Sequence, residues 1–144
     1  GWETIKAEER AAKGSESAMD GVARALPALL RAEKLQKRAA RQGFDWPDTE
    51  GPAAKLAEEV AELQEADAVS RLGEAGDVLF AAVNLVRAYG IAPEDALRST
   101  NDKFEQRFRA MEALFDGDLS DLDLEAQEAL WQRVKAAERA QSEE

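Results

Sequence analysis

Apolar residues along this 144-residue chain recur every three to four positions instead of alternating, and the intervening positions are rich in helix formers and poor in β-branched residues. This spacing predicts helices over roughly 24–42, 52–68, 71–89, 93–115 and 124–140. Proline and glycine punctuate them. Pro52 suits the start of the second helix, because its missing N–H costs nothing in a first turn. Gly90 suits a left-handed cap on the third. Pro93, followed by Glu94 and Asp95, opens the fourth with acid near the positive end of the helix dipole. The segment "FDGDLSDLD" separates the fourth helix from the fifth, and no internal repeat is visible. The fold class is all-α.

The connecting segments differ in kind. "QGFDWPDTEGP" combines Gly43, Pro47, Gly51 and Pro52 with two large aromatics, the composition of a structured loop. "GSESAMDG", residues 14–21, reads as a flexible link. Residues 1–21 are therefore expected to form a charged flexible N-terminal segment or interdomain linker, 22–141 the helical domain, and 142–144 a tail. The chain begins with Gly, which suggests a fragment or a processed form.

With 44% hydrophobic residues the chain has enough apolar material for a core. No apolar run approaches the ~20 residues that span a bilayer, and "GWETIKAEERAAKG" lacks a signal peptide's apolar centre. The expectation is a soluble protein without a membrane partner. Cysteine and histidine are both absent, which removes thiolate chemistry, disulfides and the commonest general base. Chemistry must run on carboxylates, amines, guanidinium groups and water, and the lack of cysteine fits a reducing cytoplasm. A net charge of -11 argues against binding a nucleic-acid duplex. It leaves a polyphosphate open as ligand, provided that divalent cations lie between it and the acids.

In "AEEVAELQEADAVSRLGEAGDVLF" seven carboxylates, Glu58, Glu59, Glu62, Glu65, Asp67, Glu74 and Asp77, fall within 20 positions. On the second helix Glu58, Glu62 and Glu65 form a stripe opposite Leu56, Val60 and Leu63, a pattern that a solvated face explains. On the third, apolar residues from Val78 to Val86 cover nearly every direction, which predicts a helix buried all round with Glu74, Asp77 and Asn84 on one stripe. Buried carboxylates require partners. A short connection near 67–70 makes the two helices antiparallel neighbours, and Gly73 and Gly76 permit close approach. Glu59/Glu62 and Glu74/Asp77 then offer four hard oxygen ligands suited to Mg²⁺, and a buried salt-bridge network is the alternative.

In "NDKFEQRFRAMEALF", Phe104, Phe108, Met111 and Phe115 make a core stripe, beside which Lys103 and Arg107 repeat one turn apart. Such a pair serves either as exposed charge or as a clamp for phosphate oxygens. Trp131 and Lys135, in "ALWQRVK", add an aromatic surface and another cation.

Taken together these segments resemble the MazG-type nucleoside triphosphate pyrophosphohydrolases. The Glu-Glu-x-x-Glu and Glu-x-x-Asp pattern stands at Glu58, Glu59, Glu62 and Glu74, Asp77. "LQKRAARQGFDWP", "GDVLFAAVNLVRAYGIAPEDALRSTNDKFEQRFRAME" and "LWQRVK" extend the likeness over about residues 26–137. The resemblance is to the C-terminal copy of two-domain members, and the N-terminal segment is similar to the linker before it. It implies a four-helix arrangement with an additional C-terminal helix, working as a homodimer. It also implies Mg²⁺-dependent cleavage of a nucleoside triphosphate between the α- and β-phosphates, giving monophosphate and pyrophosphate in nucleotide-pool house-cleaning. Mn²⁺ would be an alternative ion. By position it assigns metal binding to Glu59, Glu62, Glu74 and Asp77, and to Glu58 the support of the site or orientation of the attacking water. It assigns nucleotide contacts to Lys103, Arg107, Trp131 and Lys135. Two other readings stand beside it: narrow action on dUTP or dCTP, and a catalytically silent helical dimer serving as an interaction module. Trp46 is either a base-stacking surface or packing.

Overall fold

The structure, a computed structural model, describes residues 1–6 and 16–143. The described residues form helices and turns and no strand. The principal elements are α1 (Ala28–Arg41), α2 (Glu50–Glu65), α3 (Arg71–Ala88), α4 (Pro93–Leu114) and α5 (Leu124–Ser142), with a 3-10 turn at Leu119–Asp121 before α5. They match the helices predicted from apolar spacing, apart from their ends. The chain divides into two compact units, Gly1–Glu94 and Asp95–Glu144. No single helix among the described residues is long and apolar enough to cross a membrane.

The boundaries have local causes. α1 starts later than predicted because Pro27, at its N-cap with ψ 139°, disfavours a helical residue before it. α2 starts earlier, at Glu50, and Pro52 is its third residue, still within the turn that needs no N–H donors. α3 ends as predicted. Gly90 has φ +75°, its N–H donates to the Arg87 carbonyl, and the Ile91 N–H reaches back to Val86. The expected link over 14–21 lies partly outside the described residues. Its described end is a turn in which Arg38 Nη1 donates to the carbonyls of Ala18 and Asp20 at 3.0 and 2.7 Å.

In the first unit α3 packs against both α2 and α1. The expectation that α3 is buried on every side does not hold. Only Ala81 and Val83 are buried, while Leu79 is 61% and Leu72 86% exposed. Two neighbouring helices cover only part of a helix's circumference, so an all-round apolar helix keeps an uncovered face. The second unit has a small core of Met111, Leu119, Leu130 and Val134, with Ala110, Phe115, Leu122 and Trp131 packed against it. The predicted core stripe of α4 is corrected in the same way. Met111 is buried, but Phe104 and Phe108 are exposed and stack on each other at 6.1 Å between ring centroids.

Candidate functional site

The loop between α1 and α2 is tied down rather than loose. The Asp45 carboxylate accepts from Arg87 of α3 at 2.8 Å and from the Trp46 backbone N–H at 2.9 Å. The Arg87 bonds hold the Asp45 carboxyl below its usual range. A Cβ at Gly51 would stand 2.3 Å from the Trp46 ring, so only glycine admits the indole against the start of α2. The α2–α3 connection is equally ordered. Asp67 accepts from the backbone N–H groups of Val69 and Ser70 and from the Ser70 hydroxyl, and these bonds lower its pKa.

This short turn brings Glu59 and Glu62 of α2 to Glu74 of α3, with one carboxylate oxygen from each lying within 4.8 Å of the others. Glu59 is buried, Glu74 half-buried and Glu62 exposed. Like charges this close oppose ionisation: the charge of Glu59, foremost, raises the pKa of Glu62 above its ordinary 4.5. One cation answers part of the charge. Lys55, one turn before Glu59, lies 3.0 Å from Glu59 Oε1 and 3.6 Å from Glu58, and the bond to Glu59 raises its pKa. Both Glu59 Oε2 and Glu74 Oε2 are buried without a hydrogen-bond partner.

Those orphaned oxygens bear on the two partners that the sequence allows. A salt-bridge network with Lys55 alone leaves two buried carboxylate oxygens unsatisfied, a cost of about 1–3 kcal/mol for each such group. A divalent cation with affinity for hard oxygen meets all three carboxylates at once, so the residues present fit a metal. Glu58 is exposed beside Lys55, and Asp77 is exposed one turn beyond Glu74, outside the three-carboxylate group.

The four cationic and aromatic candidates lie in the second unit. Arg107 lies over the Trp131 ring, 5.6 Å from its centroid, and Trp131 in turn meets Phe104 at 5.7 Å. Arg107 Nε also donates to both oxygens of the Glu138 carboxylate at 3.0 Å, and Nη2 is ion-paired with Oε2 at 2.9 Å. The Arg107 bonds, with the charges of Lys103 and Lys135, hold Glu138 below its usual pKa. Arg107 thus joins the Glu138 carboxylate to the Trp131 ring, with Lys103 and Lys135 near enough for their charges to act on Glu138. Glu138 was not singled out from sequence, although its i+3 relation to Lys135 and i+7 relation to Trp131 put it on their face of α5.

A second feature of the first unit also escaped the sequence reading. A cavity of about 500 Å³ is lined by Gln36, Phe44, Trp46, Phe80, Asn84 and Arg87, among others. Gln36 is 6% exposed; its Nε2 donates to the Phe80 carbonyl at 3.0 Å, and its Oε1 is buried without a partner. Glutamine on an amphipathic helix carries no signal of such a role, which depends on where α3 and the Trp46 loop close over it.

Comparison with known proteins supplies an independent line. The sequence pattern described as phosphoribosyl-ATP pyrophosphohydrolase matches residues 29–104. A protein of Escherichia coli K12 named nucleoside triphosphate pyrophosphohydrolase is 47% identical over 147 residues, spanning 95% of this chain and 56% of that protein. A Thermotoga maritima protein named nucleoside triphosphate pyrophosphohydrolase/pyrophosphatase MazG is 40% identical over 141 residues, spanning 95% of this chain and 55% of its own. The uncharacterized protein YabN of Bacillus subtilis is 45% identical over 146 residues, spanning 96% and 30%. The chain therefore spans little more than half the length of the first two of these relatives.

The raised pKa of Glu62 sets a sign for pH dependence. The folded state binds this proton more tightly than the unfolded chain, so without metal the contribution favours folding at low pH and is lost as pH rises through the raised value. A divalent cation replaces the proton. Millimolar Mg²⁺ is expected to raise the melting temperature at pH 7.5 and to have a much smaller effect at pH 4.5, with the shift absent in Glu59→Gln. Calorimetric melts across this pH range check it, and an equal shift in wild type and Glu59→Gln would rule out these ligands.

Proposed function

From the premise that the chain belongs to the phosphoribosyl-ATP pyrophosphohydrolase family, on its MazG-type side, we propose that it hydrolyses nucleoside triphosphates between the α- and β-phosphates. The observation that carries this reading is the group of three carboxylates with two orphaned buried oxygens. Glu59, Glu62 and Glu74 hold Mg²⁺, or Mn²⁺ in its place, with Asp77 completing the set from the next turn of α3. The ion supplies neutralisation of phosphate charge and a lowered pKa for bound water. Glu58 lies outside the cluster beside Lys55, and its carboxylate supports the site or orients the attacking water. Lys103, Arg107 and Lys135 receive phosphate oxygens, with Trp131 backing the Arg107 guanidinium. The role is house-cleaning of the nucleotide pool in the cytoplasm.

The cavity around Gln36 supports selectivity for the base. Its aromatic walls suit a planar ring, and the orphaned Oε1 suits an N–H donor on that ring. Glu74 and Asn84 are ten residues apart on α3, about 15 Å of helical rise, which is on the scale of a nucleotide. This favours the narrow-specificity variant of the same chemistry, and the catalytically silent module is the reading it disfavours.

A homodimer accounts for the uncovered face of α3. Leu72 and Leu79, two turns apart, are strongly exposed, and a Cβ at Gly76 between them would meet nothing within 4 Å beyond its own stretch of helix backbone. A second copy of the chain offers a matching surface.

Four outcomes are expected. With a triphosphate and Mg²⁺ the products are monophosphate and pyrophosphate. Glu62→Gln and Asp77→Asn each lower turnover by more than the roughly 10- to 100-fold typical of losing an outer-sphere partner of a metal, with helicity by circular dichroism unchanged. Orthophosphate as product, or wild-type rates in both variants, would sink the reading. Across a panel of bases, Gln36→Leu lowers kcat/KM for the preferred substrate by about 10-fold or more and for the others much less. A uniform loss would mean that the cavity does not read the base. Light scattering gives the mass of two chains for the wild type and of one for Leu79→Glu, and two chains for both would place the interface elsewhere.

A further inference from the structure

We propose that Glu138 is a positioning residue for the phosphate clamp, holding Arg107 side-on so that its remaining N–H groups face an incoming phosphate. This rests on the assignment of Arg107 to phosphate binding. A guanidinium presents five N–H groups in a rigid plane. The Glu138 carboxylate takes one edge of that plane, with Nε 3.0 Å from both oxygens and Nη2 2.9 Å from Oε2. The guanidinium carbon lies over the Trp131 ring, 5.6 Å from its centroid. The ion pair and the indole contact together restrain the torsions of a long side chain that otherwise loses much rotamer freedom on being ordered. The two N–H groups of Nη1 and the second on Nη2 stand outside the carboxylate pairing. They are the end of the fork suited to bidentate contact with a phosphate.

Lys103 and Lys135 add their charges to the same neighbourhood. Glu138 carries no proton at neutral pH in this setting, so it acts as a fixed acceptor and never donates to a phosphate. Its carboxylate is half-exposed and Arg107 is 19% exposed, so the pair stands at the surface, within reach of solutes.

The alternative role for a carboxylate among three cations is a resident anion that phosphate must displace. The two roles differ in sign. Removing a negative charge beside cations strengthens anion binding on electrostatic grounds alone, whereas losing the positioning of Arg107 weakens it. The experiment titrates inorganic tripolyphosphate with Mg²⁺ into wild type, Glu138→Gln, Glu138→Asp, Arg107→Ala and the double variant Arg107→Ala/Glu138→Gln by calorimetry, with melting curves as a check on folding. Glu138→Gln is expected to weaken binding by about 10-fold, the worth of one charge-assisted hydrogen bond, and Glu138→Asp to restore part of it. In the Arg107→Ala background Glu138→Gln no longer weakens binding, because only the removal of a negative charge beside Lys103 and Lys135 is left, whereas a purely structural contribution would weaken it in both backgrounds. Tighter or unchanged binding by Glu138→Gln overturns the positioning role. Unchanged binding by Arg107→Ala instead overturns the phosphate assignment on which it rests, so the two failures are distinguishable.

Discussion

Three carboxylates held within 4.8 Å of one another form the constraint around which the first unit is arranged. Coulomb repulsion among them works against the folded chain, and a single lysine offsets part of it. Everything adjacent serves to keep them together nonetheless. Asp67 closes the turn that sets α2 against α3, and the packing of α3 on both α1 and α2 leaves Glu59 nowhere exposed to retreat. A fold that bears such a cost has its acids pre-organised for a cation: the chain, not the ligand, supplies the work of bringing the oxygens together, so more of the binding energy of an ion appears as affinity.

The second unit solves the opposite problem. Lys103, Arg107 and Lys135 repel one another and would draw any anion, and the fold supplies one of its own in Glu138. The indole of Trp131, itself packed against the exposed Phe104–Phe108 pair through Phe104, gives the guanidinium a flat surface to rest on. Large aromatics left at the surface beside cations contribute less to stability than buried ones.

These placements also explain which residues were legible beforehand. Glu59, Glu62 and Glu74 were recognisable because helical spacing is a local property: i, i+3 on one helix and a short turn to the next suffice to converge them. Lys103 and Arg107 share that logic, being one turn apart. Gln36, Asn84 and Arg87 were not legible as cavity residues, since each is ordinary within its own helix and acquires meaning only when α1, α3 and the Trp46 loop enclose the same space. Lys55 and Glu138 fall between. Their spacing to known neighbours was visible, but an ion pair on a helix surface is commonplace, and only burial and geometry distinguish these two.

Apolar periodicity, with proline and glycine at the breaks, was by itself enough to determine the all-α class, the order of the helices and the left-handed cap at Gly90, because each of these follows from interactions within a few residues of chain. Burial was another matter. Composition made α3 and the Phe104 stripe look like core, yet Leu72, Leu79, Phe104 and Phe108 stand exposed. Periodicity records which faces of a helix are apolar, while the number and position of neighbouring helices decide which of those faces are covered. That decision, like the orphaned oxygens of Glu59 and Glu74 and the edge of Arg107 taken by Glu138, belongs to the tertiary structure, because it depends on distances between side chains that no local spacing encodes.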